Sequence, residues 1–233
     1  IHVVKMAGGV QFERGNTQQD ETELQEAFAW IADNGQIILH GVAAGFENNR
    51  LTWSQKNVTI DGSDVTDSVR IGTMILNAAG KTISLTGTKT YSIQDTLELQ
   101  AGKLELEQPD LRVELGGKLV GGNPNAYIIA DSTGYLIADV QNTPVIFPLG
   151  LTTYSPATLS NSGTRDYFKL RMKPEVIDYQ GAIVAAGTPF LADMVNQTWY
   201  IEEETPGNSN VTLKLMWNAS QELPGFNRTA CMM

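Results

Sequence analysis

Short apolar runs separated by turn residues dominate this chain, and they constrain its fold more than any other feature. Leu97 and Leu99, Leu104 and Leu106, then Leu111, Val113 and Leu115 alternate in steps of two. That period places them on one side of extended strands. Glycine or asparagine punctuates the runs, as it does between strands of a β-rich fold. Segments 69–75, 82–85, 96–99, 103–106 and 111–115 recur without a strict period. A stack of strand-turn coils around an aliphatic interior is the natural expectation.

Residues 20–33 break this pattern. Leu24, Ala27, Phe28 and Ile31 recur at helical spacing and predict one helix. Asp20 or Thr22 would cap its start and Gly35 would end it. The run 36–40 then reads as a buried strand, and 41–49 as a turn-rich excursion through Gly45, Asn48 and Asn49. The first fifteen residues read as a strand and turn. A helix placed before the first coil would cover its open apolar end. Gly116, Gly117 and the run 121–125 form the densest break, so the expected division is 1–122 and 123–233. Beyond it, 182–186, 198–202 and 211–217 read as strands. Val211, Leu213, Leu215 and Trp217 share one side, as in an antiparallel sandwich.

Bulk composition excludes several classes. The formal charge of −10 gives no basic footprint for a phosphate backbone, so nucleic acid is excluded as a partner. A single cysteine, Cys231, forbids an internal disulfide. No apolar run reaches the roughly 20 residues of a membrane span. The absence of a starting Met and the abrupt end after Cys231-Met232-Met233 predict a piece of a longer polypeptide.

Two resemblances add to this reading. Helix, strand and the run Asn57-Val58-Thr59-Ile60-Asp61-Gly62 resemble the opening of right-handed parallel β-helix proteins of the pectate-lyase type. The second rests on residues 127–136, 144–150, 154–163, 166–172, 199–203, 211–219 and 222–228. These resemble a module repeated in large secreted proteins of Bacteroidota exported by the type IX secretion system, often adhesins. The likeness spans roughly residues 97–231. It implies an extracellular or cell-surface β-rich protein and, during transit, the type IX machinery as partner. It carries no catalytic residues. The expected fold class is therefore all-β: an N-terminal right-handed parallel β-helix with a capping helix, followed by an antiparallel β-sandwich.

Candidate sites are few. Asp61, Asp64 and Asp67 surround Gly62 and faintly echo a Ca²⁺ loop, but the glycine sits at the wrong offset and no bidentate Glu follows. A solvated turn is the preferred reading. Trp53 and Trp199 are the candidates for an aromatic sugar platform. Trp199 is preferred as core, and Glu202, Glu203 and Glu204 as a wet turn. His2 and His40 stand far apart without ligands at metal spacing, so His40 reads as structural. Cys231 lacks a basic neighbour and is expected to pack in a strand rather than react. Five Asn-x-Ser/Thr sites, at Asn57, Asn196, Asn210, Asn218 and Asn227, reflect composition in a bacterial protein and glycosylation in a eukaryotic one.

The reading is a structural or adhesive segment with no catalysis and no cofactor, meeting a glycan or another surface ligand. One rival is a polysaccharide-active β-helix enzyme using 41–49 and 61–67. Another is a carbohydrate-binding module, which loses its motive if both tryptophans are buried. Oligomeric state is left open.

Overall fold

A computed structural model describes residues 2–6, 11–14, 23–41, 44–177 and 188–231. The chain is 55% strand and 4% helix, and its centre is a β-solenoid of about four turns. Three strand columns build it, each a parallel ladder.

The first column runs through β3 (Gly35–Gly41), β5 (Val58–Val65), the second half of β6 (Val69–Thr86), the second half of β7 (Tyr91–Leu106) and β10 (Ala126–Ile129). Val58 pairs Ile83, Ile83 pairs Leu104 and Leu104 pairs Ile128, which are steps of 25, 21 and 24 residues. The second column starts on β4 (Ala44–Trp53) and continues through the first parts of β6 and β7 to β8 (Leu111–Val113) and β11 (Leu136–Val140). The third uses the end of β4, the middle of β6 and of β7, and β9 (Lys118–Gly121). Parallel pairing brings like residues over one another, so each column buries its own inward file. Leu51, Met74 and Leu97 form one such file and are at most 1% exposed. Tyr91 occupies the second column and donates its hydroxyl to the Ile60 and Thr86 carbonyls (both 3.1 Å). Burial pushes its pKa far above the ordinary tyrosine value, so it stays neutral.

Helix α1 (Glu23–Trp30) buries Leu24, Ala27 and Phe28, with Ile31 just beyond its end. The Phe28 and Trp53 rings lie 3.6 Å apart between centroids. The glycine expected to end the helix does another job. Asn34 takes the left-handed conformation (φ 64°), which asparagine tolerates. Gly35 already begins β3, where a Cβ would fall 2.3 Å from Ile31 Cγ1. Close packing, not chain reversal, demands glycine at that position. Before the helix, β1 (His2–Met6) pairs antiparallel with β2 (Gln11–Arg14) and with β3. Residues 44–49, expected within the turn-rich excursion, belong to β4, and the slack is absorbed by a register shift between Phe46 and Arg50.

Parallel stacking crosses the expected division at Gly122, since β10 and β11 extend the first two columns. Antiparallel strands follow. β14 (Asp166–Lys173) pairs with β11, and β15 (Thr198–Glu203) pairs with β14. A separate sheet holds β12 (Val145–Phe147), β13 (Ala157–Asn161) and β16 (Val211–Leu215). One hydrophobic cluster joins both sheets to the solenoid interior, from Leu24 through Leu104 to Met172. On β16 the inward file is shorter than expected: Leu213 and Leu215 pack on the core, but Val211 is 39% exposed. The expected strand at 182–186 lies outside the described residues.

Candidate functional site

The three aspartates do not share one turn. Asp61 and Asp64 lie within β5, and Asp64 stands opposite His40 in the ladder. The strand runs on past Gly62 because a register shift between Ile38 and His40 keeps it paired to β3. Asp61 accepts from Ser63 N–H (2.9 Å), Ser63 Oγ–H (2.5 Å) and Gln36 Nε2–H (3.1 Å). Asp67 reaches Arg70 at 3.6 Å. Among the described residues no three His, Cys, Asp or Glu side chains converge as a metal site. His2, His40 and residues 41–49 have side chains outside the described set.

Trp53 is 2% exposed and belongs to the core against Phe28. It offers no platform. Trp199 is half-buried, packs against the same core, and donates its indole N–H to the Ser155 carbonyl (3.2 Å). Cys231 is exposed in the chain's last turn, not packed in a strand, and its thiol contacts the Arg228 carbonyl at 3.3 Å.

The most organised polar surface is one that sequence reading passed over. It covers the outer side of β8, β11, β14 and β15. Register sets Ile137 beside Arg112 on one side and Lys169 on the other, with Glu202 beyond. Arg171 stands opposite Tyr200, and Tyr167 stands two same-side positions away on β14, beyond Lys169. Arg112 lies 3.8 Å from the Tyr167 ring centroid. Arg171 lies 4.2 Å from that of Tyr200 and 5.0 Å from that of Tyr135. Cations over ring faces are attracted by the ring quadrupole.

Glutamates complete the lattice. Arg112 grips Glu204 with two bonds, 2.7 and 2.8 Å. Tyr135 donates its hydroxyl to Glu202 (2.7 Å), which also meets Lys169 at 3.1 Å. The hydrogen bond from Tyr135 and the Lys169 charge hold Glu202 below its ordinary pKa, and the Arg112 bonds do the same for Glu204. Burial raises the pKa of Asp110 at the lattice edge. The acidic run is therefore not a wet turn: Glu202 and Glu203 lie in β15. Its sequence signal was the step-of-two series Tyr167, Lys169, Arg171. Charged and aromatic residues at that spacing mark a polar sheet face, but the lattice partners lie 29 (Arg171 and Tyr200) to 92 (Arg112 and Glu204) residues apart, beyond any local pattern. Ile137 is 3% exposed although it belongs to this outer side, so the flanking stems cover it.

A second feature is a groove of about 460 Å³ between β9 and β12. Leu119, Val120, Val145 and Ile146 line it, together with Glu114 and Asp139. Ile146 and Val120 are 51% and 42% exposed. Asp139 is held by Arg165 (2.7 Å). No helix among the described residues is long and apolar enough to cross a membrane. No family model, no curated protein and no solved structure matches the chain.

Proposed function

We propose that the chain is a structural segment of a secreted or cell-surface bacterial protein, a stiff body that holds a contact surface in place. The observation that carries this reading is the single apolar interior shared by the parallel coils, the antiparallel strands β14 and β15 that continue their ladder, and the separate β12–β13–β16 sheet. Stacked coils of this kind bend little, because each strand is hydrogen-bonded to the coils on both sides. In this reading the coils wind right-handedly, α1 caps the first coil, and the two terminal sheets form a sandwich at the far end. The cation–tyrosine lattice is the contact surface. Its rings and fixed charges suit a glycan or another polar surface ligand, which makes the segment adhesin-like. Membership among type IX secretion substrates of Bacteroidota, and contact with that machinery in transit, rest on sequence resemblance.

The test is a glycan array together with a polysaccharide-degradation screen, each with and without Ca²⁺. Binding without product release, weakened at least tenfold by Tyr200→Ala and Arg171→Ala, is the expected result. Release of oligosaccharide products overturns the structural reading. Binding that ignores both substitutions moves the contact surface elsewhere.

A further inference from the structure

The small sheet differs from the rest of the molecule in charge. The chain carries −10 overall. Its strands β12, β13 and β16 hold one charged residue between them, Lys214. Residues 140–164 hold no charge, and Lys214 is the one charge in 205–221. One edge of this sheet, β12, already lies against β9. At the other edge β16 pairs, among the described residues, with β13 alone. Ser162 N–H donates to the Asn210 carbonyl (2.9 Å) and Met216 N–H to the Pro156 carbonyl (3.1 Å), at the two ends of that ladder. Antiparallel alternation then turns the N–H and C=O groups of Val211, Leu213 and Leu215 away from β13. Leu213 and Leu215 pack on the core, and Val211 is 39% exposed. Thr212 and Lys214 are exposed on the outer side.

We propose that β16 is a self-association edge: two copies of the chain pair β16 antiparallel about a two-fold axis at Leu213, joining their small sheets into one. Such a contact uses the same patch on both copies, so the strand must complement itself. Its sequence does. Centred on Leu213, each copy's Leu213 exchanges both main-chain bonds with its counterpart, and Val211 meets the partner's Leu215. Thr212 meets the partner's Lys214, so no like charges face each other. A register centred on Lys214 would set two ammonium groups together. One centred on Thr212 would set Leu215 against Ser209 and lose an apolar pair. Pairing about Leu213 extends the ladder and runs the apolar row of Val211, Leu213 and Leu215 across the axis.

Charge selects the occupant. Two bodies of −10 repel, and the repulsion is least where charge is sparsest. A basic segment would find no carboxylate on the strands of this sheet. The edge of the larger sheet is built the other way. β15 ends in Glu202 and Glu203, with Glu204 beyond, and charged side chains are a usual guard of edge strands. β16 has one lysine, which pairing about Leu213 sets opposite a threonine. Beyond β16 the chain turns toward the start of β13, where Asn218 donates its side-chain amide to the Tyr154 carbonyl (3.1 Å).

The test is sedimentation equilibrium of the whole chain, which is expected to show a monomer–dimer equilibrium. Thr212→Lys sets like charges opposite each other at two places and should weaken the dimer about tenfold, whereas Thr212→Glu creates two opposite-charge pairs and should tighten it about threefold. Thr212 is exposed, so both variants keep the monomer fold, which far-ultraviolet circular dichroism checks. Cross-linking reads the register. In a Cys231→Ser background, Thr212→Cys and Lys214→Cys in one chain should give a disulfide-linked dimer on oxidation, because opposed residues of a non-hydrogen-bonded pair lie about 4.5 Å apart. Either cysteine alone should leave monomers. A monomer at every concentration overturns the proposal and leaves the edge to a strand of another protein. A dimer that Thr212→Lys and Thr212→Glu leave unchanged or shift the same way also overturns it, as does a double-cysteine variant that does not cross-link.

Discussion

The two ends of the third column differ in what lies against them. At β4 the free edge is met by a helix. Gln25 supplies an amide in place of a strand, and Phe28 supplies apolar cover for Trp53. At β9 the edge faces a groove rimmed by exposed Val120 and Ile146. Unpaired edges invite association, and proteins manage them by covering them or by using them. The comparison teaches how differently two stretches of one column are served: at Thr52 a single side-chain amide meets both backbone groups, whereas β9 has β7 as its one strand partner among the described residues.

Four changes break or sharpen that contrast. Trp53→Ala should have the largest effect, about 3–5 kcal/mol lost in chemical denaturation, because it empties the site between helix and first coil. Retained stability would mean that the helix does not hold that end. Gln25→Ala removes two hydrogen bonds and should cost about 1 kcal/mol, with faster hydrogen exchange at the Thr52 amide. An unchanged exchange rate would show that water or another group serves the edge equally well.

Acid should act on the terminal sheets. Glu202 and Glu204 have folded pKa values below their unfolded ones, so their contribution is complete above the ordinary glutamate pKa of about 4.3 and fades as pH falls through the folded values. The unfolding midpoint should therefore drop below that pH, and Glu204→Gln should flatten the profile. A profile that Glu204→Gln leaves unchanged would deny the Arg112 pair any part. The smallest effect belongs to the β9 end. Val120→Thr should shift stability by no more than about 0.5 kcal/mol, since that side chain is largely in solvent. A loss comparable to that of Trp53→Ala would reveal hidden cover over β9.

Much of the solenoid was legible in the residues. Segments 82–85, 96–99 and 103–106 coincide with runs of paired residues, although β6 and β7 are continuous strands that bend at corners such as Gly80 and Gly102. The helix face was legible because Leu24, Ala27, Phe28 and Ile31 repeat within one window. Strand β9 was missed. Its Lys118 to Gly121 sits among glycines, and only the β7 ladder makes it a strand. The cation–tyrosine lattice was missed for another reason: Arg112 meets Glu204 across 92 residues, and nothing local encodes that. From sequence alone Trp53 is a candidate platform, because its burial depends on Phe28 of the preceding helix, which only the fold brings against it.

Lys56 carries a consequence for timing. Its ammonium donates to the carbonyls of Phe28 (3.4 Å), Ala29 (3.0 Å) and Ile31 (2.6 Å), while the next residue, Asn57, donates its backbone N–H to Asp33 (2.6 Å). An eight-residue helix does not persist alone in water. The groups that hold its last turn lie about 25 residues downstream, and during synthesis at about 5–20 residues per second they emerge seconds after it. The helix is thus made early and ordered late, once the second coil has begun. Until then the apolar face of Leu24, Phe28 and Ile31 is exposed on the nascent chain, a brief interval in which a chaperone has something to hold.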